Sequence, residues 1–408
     1  MKWFKRLLGL LLVLIVGVII AALIVINPFG ASPFNRYTKS GSLDLPGLKE
    51  PVTVFRDEKG MAYIYATNMD DLLMAQGFVT AQDRLFQMEL TKLFASGRIS
   101  ELAGEKAKNL DIRMRTLGFH RNASKHITLL NDKTRMYFQK YVDGVNAFIQ
   151  TRPQEHHLEF KLAGIQPSTW SSADSLTILY YMGWNSAGNI RSEIIAQMLV
   201  EKLGPVKAAE IFPLNINPDE KLQTDATWPK PVLAATRLGA AVDKKLLAHL
   251  DAGSLRLGSN NWAVDGRFSP GGKPILANDP HLEATLLPGP WYPCGLITPK
   301  FRAVGFNIPG LAGMPVGRTQ HFAVGVTNAY GDTQDLYVES VDPDNPDHYL
   351  EGNQSIPFEV IEETLRIKDK SAADGFRTEK IKIRLTRRGP VISGDMPGLQ
   401  TDKVISMR

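Results

Sequence analysis

The chain has 408 residues, of which 44% are hydrophobic and 22% charged, so it can bury a sizeable core and is not intrinsically disordered. Its net charge of +5 is small for this length and forms no basic block, which argues against nucleic-acid binding. The single cysteine, Cys294, excludes an internal disulfide and any cysteine-based zinc or iron–sulfur site. We expect this thiol in the core or in a pocket wall.

The first segment is apolar enough to cross a membrane. Leu7 to Ile26 is a run of twenty residues without a charge, about 30 Å long as a helix. Lys2, Lys5 and Arg6 precede it and keep the N-terminus cytoplasmic under the positive-inside rule. We expect an uncleaved signal anchor, with a cleaved signal peptide as the alternative, although residues 27–32 make a poor cleavage site. The remainder is exported: anchored in the inner membrane and facing the periplasm, or free in the periplasm.

The pattern that follows is mainly helical. Two short strands are predicted near residues 52–57 and 62–66, with a bend at Asp57–Gly60. Apolar residues then recur at helical spacing from Asp70 to Phe94, until Gly97 and Gly104 break the pattern. Further helices are predicted over three ranges: 135–150, 172–181 and 192–203.

The second half of the chain has a different sequence pattern. Pro229 and Pro231 mark an irregular boundary, and residues 238–257 form at most a marginal helix. Short β runs follow, and Ser269–Gly272 has the composition of a hairpin turn between the first two. The predicted strands cover residues 261–264, 274–277, 301–306, 321–326 and 336–339. A helix-rich half before a strand-rich half predicts an α+β fold.

Several common catalytic motifs are missing. The sequence has no Gly-x-Ser-x-Gly elbow, no phosphate-binding glycine loop and no His-Glu-x-x-His. Glu155, His156 and His157 are consecutive, which does not place two imidazoles on one helical face, so we expect them at the solvated surface.

Two segments stand out: Leu257–Val264, which reads LGSNNWAV, and Leu276–Leu282, which reads LANDPHL. With them the sequence resembles the penicillin acylase family of N-terminal-nucleophile hydrolases. Six further blocks agree with that family in order and spacing, and together the blocks span about residues 51–392. They are Arg56–Gly60, Gln76–Met88, Gly97–Gly104, Ser192–Ile194, Thr327–Ala329 with Gly331–Asp332, and Arg387–Ile392.

The resemblance implies an αββα sandwich and a precursor that cuts itself between Gly258 and Ser259. Ser259 would then begin a β chain and serve as the nucleophile. A serine hydroxyl needs a base, and a free α-amino group with a pKa of about 7.7–8.0 supplies one on the same residue. Before cleavage this nitrogen is an amide, so the site is inactive. Lack of a Cβ at Gly258 is expected to let the Ser259 Oγ approach the carbonyl. Without the family blocks, the segment around Ser259 reads as a turn that opens a strand.

Two further catalytic residues follow from the resemblance. His281 lies across one hairpin from Ser259 and matches a family position that orients the serine amine and contacts substrate. Asn328 matches the residue whose backbone N–H holds the oxyanion of the tetrahedral intermediate. From the residues alone, His281 can also be a structural histidine, and Asn328 can also be a polar residue that ends a strand. Asn260 is expected to position the serine strand.

The resemblance also implies one structural calcium ion. Glu193, Asp332 and Asp335 match the family's ligands, with a backbone oxygen near Gln334 as a further ligand. Oxygen donors from both halves suit Ca²⁺, which takes 6–8 oxygens. Without the resemblance, Glu193 reads as a residue at a helix start and the two aspartates as a solvated turn.

The expected organisation has four parts: residues 1–32 are the signal segment, 33–232 the α-chain region, 233–258 a spacer and 259–408 the start of the β chain. Only 408 − 258 = 150 residues follow the cut, far fewer than in the family's β chains, so we expect a C-terminally truncated sandwich. The expected partners are a small N-acyl substrate, the two chains for each other, and the membrane through the N-terminal helix. The alternatives are a noncatalytic remnant that binds acyl compounds or a partner, and an unrelated membrane-anchored structural protein.

Overall fold

The computed structural model describes residues 2–26, 38, 40–187, 190, 193, 199–200, 202–211, 258–281, 288–328, 333–395 and 403–408. The described helices are α1 (Lys2–Ile26), α2 (Met69–Ala95), α3 (Ser100–Ala103), α4 (Lys108–Leu117), α5 (Phe119–Leu129), α6 (Asp132–Thr151), α7 (Leu158–Ala163), α8 (Ser172–Ala187) and α9 (Pro205–Ile211). The predicted spacer and the marginal helix at 238–257 lie outside these residues, except for Gly258.

The described strands are β1 (Thr53–Arg56), β2 (Ala62–Tyr65), β3 (Gly258–Val264), β4 (Ile275–His281), β5 (Tyr292–Ile297), β6 (Arg302–Asn307), β7 (Val316–Thr319), β8 (Ala323–Val324), β9 (Leu336–Asp342), β10 (Asn345–Glu351), β11 (Gln354–Pro357), β12 (Glu359–Lys368), β13 (Phe376–Thr386), β14 (Gly389–Pro390) and β15 (Val404–Met407). The mixture of helix and sheet agrees with the α+β prediction.

Four sheets are formed by the described strands. The largest runs β1-β2-β5-β6-β7-β8, and smaller sheets run β11-β10-β9-β15, β12-β13-β14 and β3-β4. The pairing of β2 with β5 is parallel, and it joins a strand from the helical half to a strand after Gly258. The halves on either side of Gly258 therefore share a sheet.

Helix α2 lies between the six-stranded sheet and helix α6. Leu72, Ala75 and Val79 pack against Ile64 and Leu296 of the sheet. On its other side Phe78, Leu85 and Met88 pack against Tyr141 and Phe148 of α6. Two predicted glycine turns are also observed: Gly60 has φ 80° in the β1–β2 bend, and Gly97 has φ 65° just after α2.

Two glycines bring α2 and α6 into close contact. A Cβ on Gly144 would lie 1.8 Å from the Met74 carbonyl oxygen, and one on Gly77 would lie 2.0 Å from the Tyr141 carbonyl oxygen. No other residue fits at either position without separation of the helices.

Polar contacts also join the two halves. The Gln76 amide donates to the Gly313 carbonyl over 2.7 Å and accepts from the Gly313 N–H over 3.0 Å. Asp83 accepts hydrogen bonds from Arg56 and, over 2.5 Å, from the Tyr292 hydroxyl. Burial, with the nearby Asp83 carboxylate, raises the pKa of Tyr292 well above its ordinary value. These contacts are noncovalent links that remain if the chain is cut after Gly258.

One surface prediction is wrong. Glu155 is buried and binds both the backbone N–H and the hydroxyl of Thr38, while His157 accepts from the Phe86 N–H and contacts the Gln82 carbonyl. Glu155 is buried and His157 partly buried here because each finds a specific partner in a neighbouring segment.

Candidate active site

The predicted nucleophile lies on a two-stranded hairpin. Strands β3 and β4 are antiparallel, with Gly258 opposite His281 and Ser259 opposite Pro280. Residues directly opposite in such a pair have Cα atoms about 4.5–5.5 Å apart, so the hairpin returns His281 to the start of the serine strand. The His281 ring lies 2.9 Å from an Asp279 carboxylate oxygen, and both side chains are exposed.

The Ser259 hydroxyl contacts the peptide bond predicted to be cut. Its Oγ donates a hydrogen bond to the Gly258 carbonyl oxygen over 2.6 Å. In this intact chain the Ser259 nitrogen is still an amide and cannot act as a base. The hydroxyl lies at the carbonyl oxygen, so attack on the carbonyl carbon requires a local rotation.

Gly258 shows no steric need for glycine among the described residues. Its φ is not in the positive region, and a Cβ built on it would meet no atom within 4 Å. The expectation that glycine makes room for the hydroxyl therefore finds no support in this part of the chain.

Asn278 connects the serine strand to the segment that carries Asn328. Its Nδ2 donates to the Val326 carbonyl over 2.8 Å and to the Asn260 carbonyl over 3.2 Å, and its Oδ1 accepts from the Val326 N–H over 3.0 Å. Asn260 follows the nucleophile, and Val326 lies two residues before Asn328. The two sides of the predicted site are thus held by one side chain, which the sequence did not single out as a site residue.

A second contact joins the same two segments. A Cβ on Gly325 would lie 2.9 Å from the side-chain oxygen and nitrogen of Asn261. The Asn328 side chain points elsewhere: its Nδ2 donates to the Ser186 carbonyl at the end of α8 over 2.7 Å. This leaves the backbone N–H, not the side chain, as the group of Asn328 that is relevant to an oxyanion.

The three predicted calcium ligands are only partly placed. Glu193 and Asp335 are described, whereas Asp332 is not. The exposed Asp335 accepts a hydrogen bond from the Tyr337 hydroxyl, and its backbone pairs both ways with that of Arg408. Within the described ranges no group of three metal-binding side chains comes together. The carboxylate donors fit calcium chemically, and the site itself stays a prediction.

Cys294 is not a nucleophile. It is fully buried on β5, in the layer between the sheet and α2, as the sequence predicts. Burial raises the pKa of its thiol to about 12, so it stays protonated and unreactive at neutral pH.

Comparison with known proteins fits these features. Residues 51–408 match the penicillin amidase family. The chain is 32% identical over 87% of its length to the acyl-homoserine lactone acylase QuiP of Pseudomonas aeruginosa, and 34% identical over 87% to the penicillin acylase 2 proenzyme of a Pseudomonas species. It is 26% identical over 80% to penicillin G acylase of Escherichia coli. These matches cover 41%, 45% and 45% of the relatives, so the chain spans less than half their length.

A solved structure is also similar. The thermostable penicillin G acylase from Alcaligenes faecalis aligns with 42% of this chain and 95% of its own, at 24% identity and a TM-score of 0.36. The matched relatives are acylases, and this chain carries Ser259 near the start of a hairpin in a mixed helix and sheet fold. The chain belongs to the penicillin amidase family.

Proposed function

We propose that this chain belongs to the precursor of an acylase, which cuts itself between Gly258 and Ser259 and then hydrolyses a linear amide of a small N-acyl compound. The observation that carries the proposal is the 2.6 Å contact of the Ser259 hydroxyl with the Gly258 carbonyl oxygen, in a chain of the penicillin amidase family. The hydroxyl is adjacent to the one peptide bond whose hydrolysis would free its own amine.

Self-cleavage would run through an ester. The Ser259 Oγ attacks the Gly258 carbonyl carbon and loses its proton, and the bond from this carbon to the Ser259 nitrogen breaks as the nitrogen takes up a proton. Water then hydrolyses the ester, which leaves a carboxylate on Gly258 and restores the hydroxyl. The product has a free α-amino group on Ser259, with a pKa of about 7.7–8.0 in an unperturbed chain.

In the mature enzyme this amine would act as the base for the adjacent hydroxyl. The hydroxyl attacks the substrate carbonyl, the amine portion of the substrate leaves with a proton, and water then releases the acid from the acyl-Ser259 ester. The Asn328 N–H would stabilise the oxyanion, a contribution of about 3 kcal/mol for one such donor. His281 lies opposite Gly258 in the β3–β4 pairing, which supports a role in orienting the new amine and in contacting substrate.

The names of the relatives support the substrate class. They include penicillin acylases and acyl-homoserine lactone acylases, so the candidate substrates are β-lactam side-chain amides and N-acyl homoserine lactones. Turnover of chromogenic phenylacetyl and fatty-acyl amides would test the proposal and rank the acyl groups. A correctly cut protein that hydrolyses neither would favour a noncatalytic remnant that binds acyl compounds.

The exposed face of the six-stranded sheet supports the αββα architecture. The side opposite α2 carries Phe55, Tyr65, Val304 and Phe306, which are 59%, 46%, 36% and 44% exposed. Apolar strand residues at this level of exposure are typical of a sheet that packs on a second layer. In the proposed sandwich a second sheet covers this face.

We propose that a calcium ion, held by Glu193, Asp332 and Asp335, links the α and β chains. Replacement of Glu193 by Ala is expected to reduce the rise in melting temperature that calcium gives the wild type, because the ion loses a ligand and stabilises the fold less. Thermal unfolding with calcium and with a chelator measures the difference. Glu159→Ala, which removes an exposed carboxylate on α7, serves as the control. Equal calcium shifts in all three proteins would exclude Glu193 as a ligand.

We propose that α1 anchors the protein in the membrane or directs its export. It is long and apolar enough to span a bilayer, and its apolar window lies outside the packed core. Deletion of residues 1–32 is expected to give a soluble protein, because no other described helix has a comparable apolar run. Fractionation after a carbonate wash measures this, and retention of the shortened protein in the membrane would contradict it.

A further inference from the structure

We propose that Asn278 is a positioning residue that sets the oxyanion segment, residues 325–328, against the Ser259 strand. The inference rests on the proposed function and goes beyond it, because it assigns a role to a side chain outside the predicted catalytic set. The observation is the three hydrogen bonds that one amide makes to two segments of backbone.

The Asn278 amide group donates two hydrogen bonds and accepts one. A primary amide has two N–H donors and a carbonyl acceptor. Here the Nδ2 contacts the Val326 and Asn260 carbonyl oxygens, and the Oδ1 accepts the Val326 N–H. The pair with Val326 satisfies both backbone groups of that residue, as a neighbouring strand would. No other side chain of this length has both donors and an acceptor.

The two segments joined in this way carry the reacting groups. Asn260 directly follows Ser259, and Val326 precedes Asn328 by two residues. Asn278 also lies opposite Asn261 in the β3–β4 register, and a Cβ on Gly325 would meet the Asn261 side chain. The nucleophile and the oxyanion donor are therefore both positioned relative to a single amide.

Loss of the amide is expected to act on the transition state. Oxyanion donors act only when they reach the charge that develops during attack, so their displacement lowers kcat with little effect on KM. A misplacement of about 1 Å costs roughly 100-fold in rate. The hairpin does not depend on this side chain, because Asn278 is only half-buried and seven residue pairs form the β3–β4 ladder.

The experiment compares three variants of the complete, self-cleaved protein with the wild type. Asn278→Ala removes all three bonds. Asn278→Asp keeps the size and the acceptor for the Val326 N–H but loses both donors. Lys273→Ala changes an exposed residue in the turn of the same hairpin and is the matched control. We expect kcat to fall by about 100-fold in both Asn278 variants, with KM within about twofold of wild type, and no change in the control. Unchanged kcat in Asn278→Ala, or a rise in KM alone, would overturn the inference.

Hydrogen exchange gives a readout that does not need turnover. The Val326 amide should exchange faster in Asn278→Ala than in wild type and stay protected in Asn278→Asp, which retains its acceptor. Mass spectrometry of peptides that cover residues 323–328 measures this also in an uncut variant. If the wild type hydrolyses no amide, the proposed function fails, and equal exchange in Asn278→Ala and wild type still overturns the role of Asn278 by itself.

Discussion

Replacement of Ser259 by Ala is expected to leave the whole chain uncut and without amidase activity. Without the hydroxyl there is no nucleophile to attack the Gly258 carbonyl, and the nitrogen of residue 259 remains an amide that cannot serve as a base. Both the maturation step and the hydrolysis step are lost together. The 2.6 Å contact between this hydroxyl and the Gly258 carbonyl oxygen is the structural reason to expect so complete an effect.

Intact mass and N-terminal sequencing measure the result on the expressed protein. Wild type should yield a second chain that begins Ser259-Asn260-Asn261-Trp262, and Ser259→Ala should yield none. Ser269→Ala, in the turn of the same hairpin, is the control and should cut as wild type does. A single uncut chain that nevertheless hydrolyses amides would refute the mechanism.

Ser259→Cys separates the two steps. A thiol can make the same shift at the Gly258 carbonyl, so this variant is expected to cut itself. The variant should hydrolyse amide substrates poorly, because after attack on the substrate the thiolate is a better leaving group than the amine. Self-cleavage without amide turnover would show that residue 259 is the nucleophile in both steps, and that amide hydrolysis needs the hydroxyl whereas self-cleavage does not.

Replacement of Gly144 by Ala is expected to destabilise the fold by about 3 kcal/mol or more. The new Cβ would lie 1.8 Å from the Met74 carbonyl oxygen, so α2 and α6 must separate and the packing of Phe78 against Phe148 is lost. The gain in helix propensity from Gly to Ala, about 1 kcal/mol, is smaller than this cost.

The free energy of unfolding, from denaturant titration, measures this effect. Gly183→Ala is the matched control, because Gly183 also lies inside a helix but a Cβ there would meet nothing within 4 Å. That variant should be as stable as wild type or more stable by up to about 1 kcal/mol. Equal stability of the two alanine variants would show that the helix crossing does not need its glycine.

The sequence by itself determined the elements that have strong local patterns. The helix predicted from Asp70 to Phe94 is observed at Met69–Ala95, and the one predicted at 135–150 is observed at Asp132–Thr151. Both have apolar residues at helical spacing, and both have an asparagine cap that accepts from a backbone N–H of the first turn. The β3–β4 hairpin was predicted for the same reason, from its turn residues and the flanking strands.

Other elements gave no such signal. Strand β5 contains Pro293 and Gly295, which disfavour a strand, yet it lies in the middle of the largest sheet. Its Cys294 and Leu296 are buried beneath α2, and this burial outweighs weak local preference. Strands β12 and β13 were also missed, because they are rich in charged side chains. Ten residue pairs between the two strands hold this hairpin together.

For the proposed site, Ser259, His281 and Asn328 are predictions from the motifs that resemble the family. What only the tertiary structure decided is how the segments meet. The parallel pairing of β2 with β5, the helix crossing at Gly77 and Gly144, and the Asn278 bonds all join residues far apart in the chain or in separate elements. Such contacts follow from burial and from the pairing of specific polar groups across space, and neither is encoded in a local period.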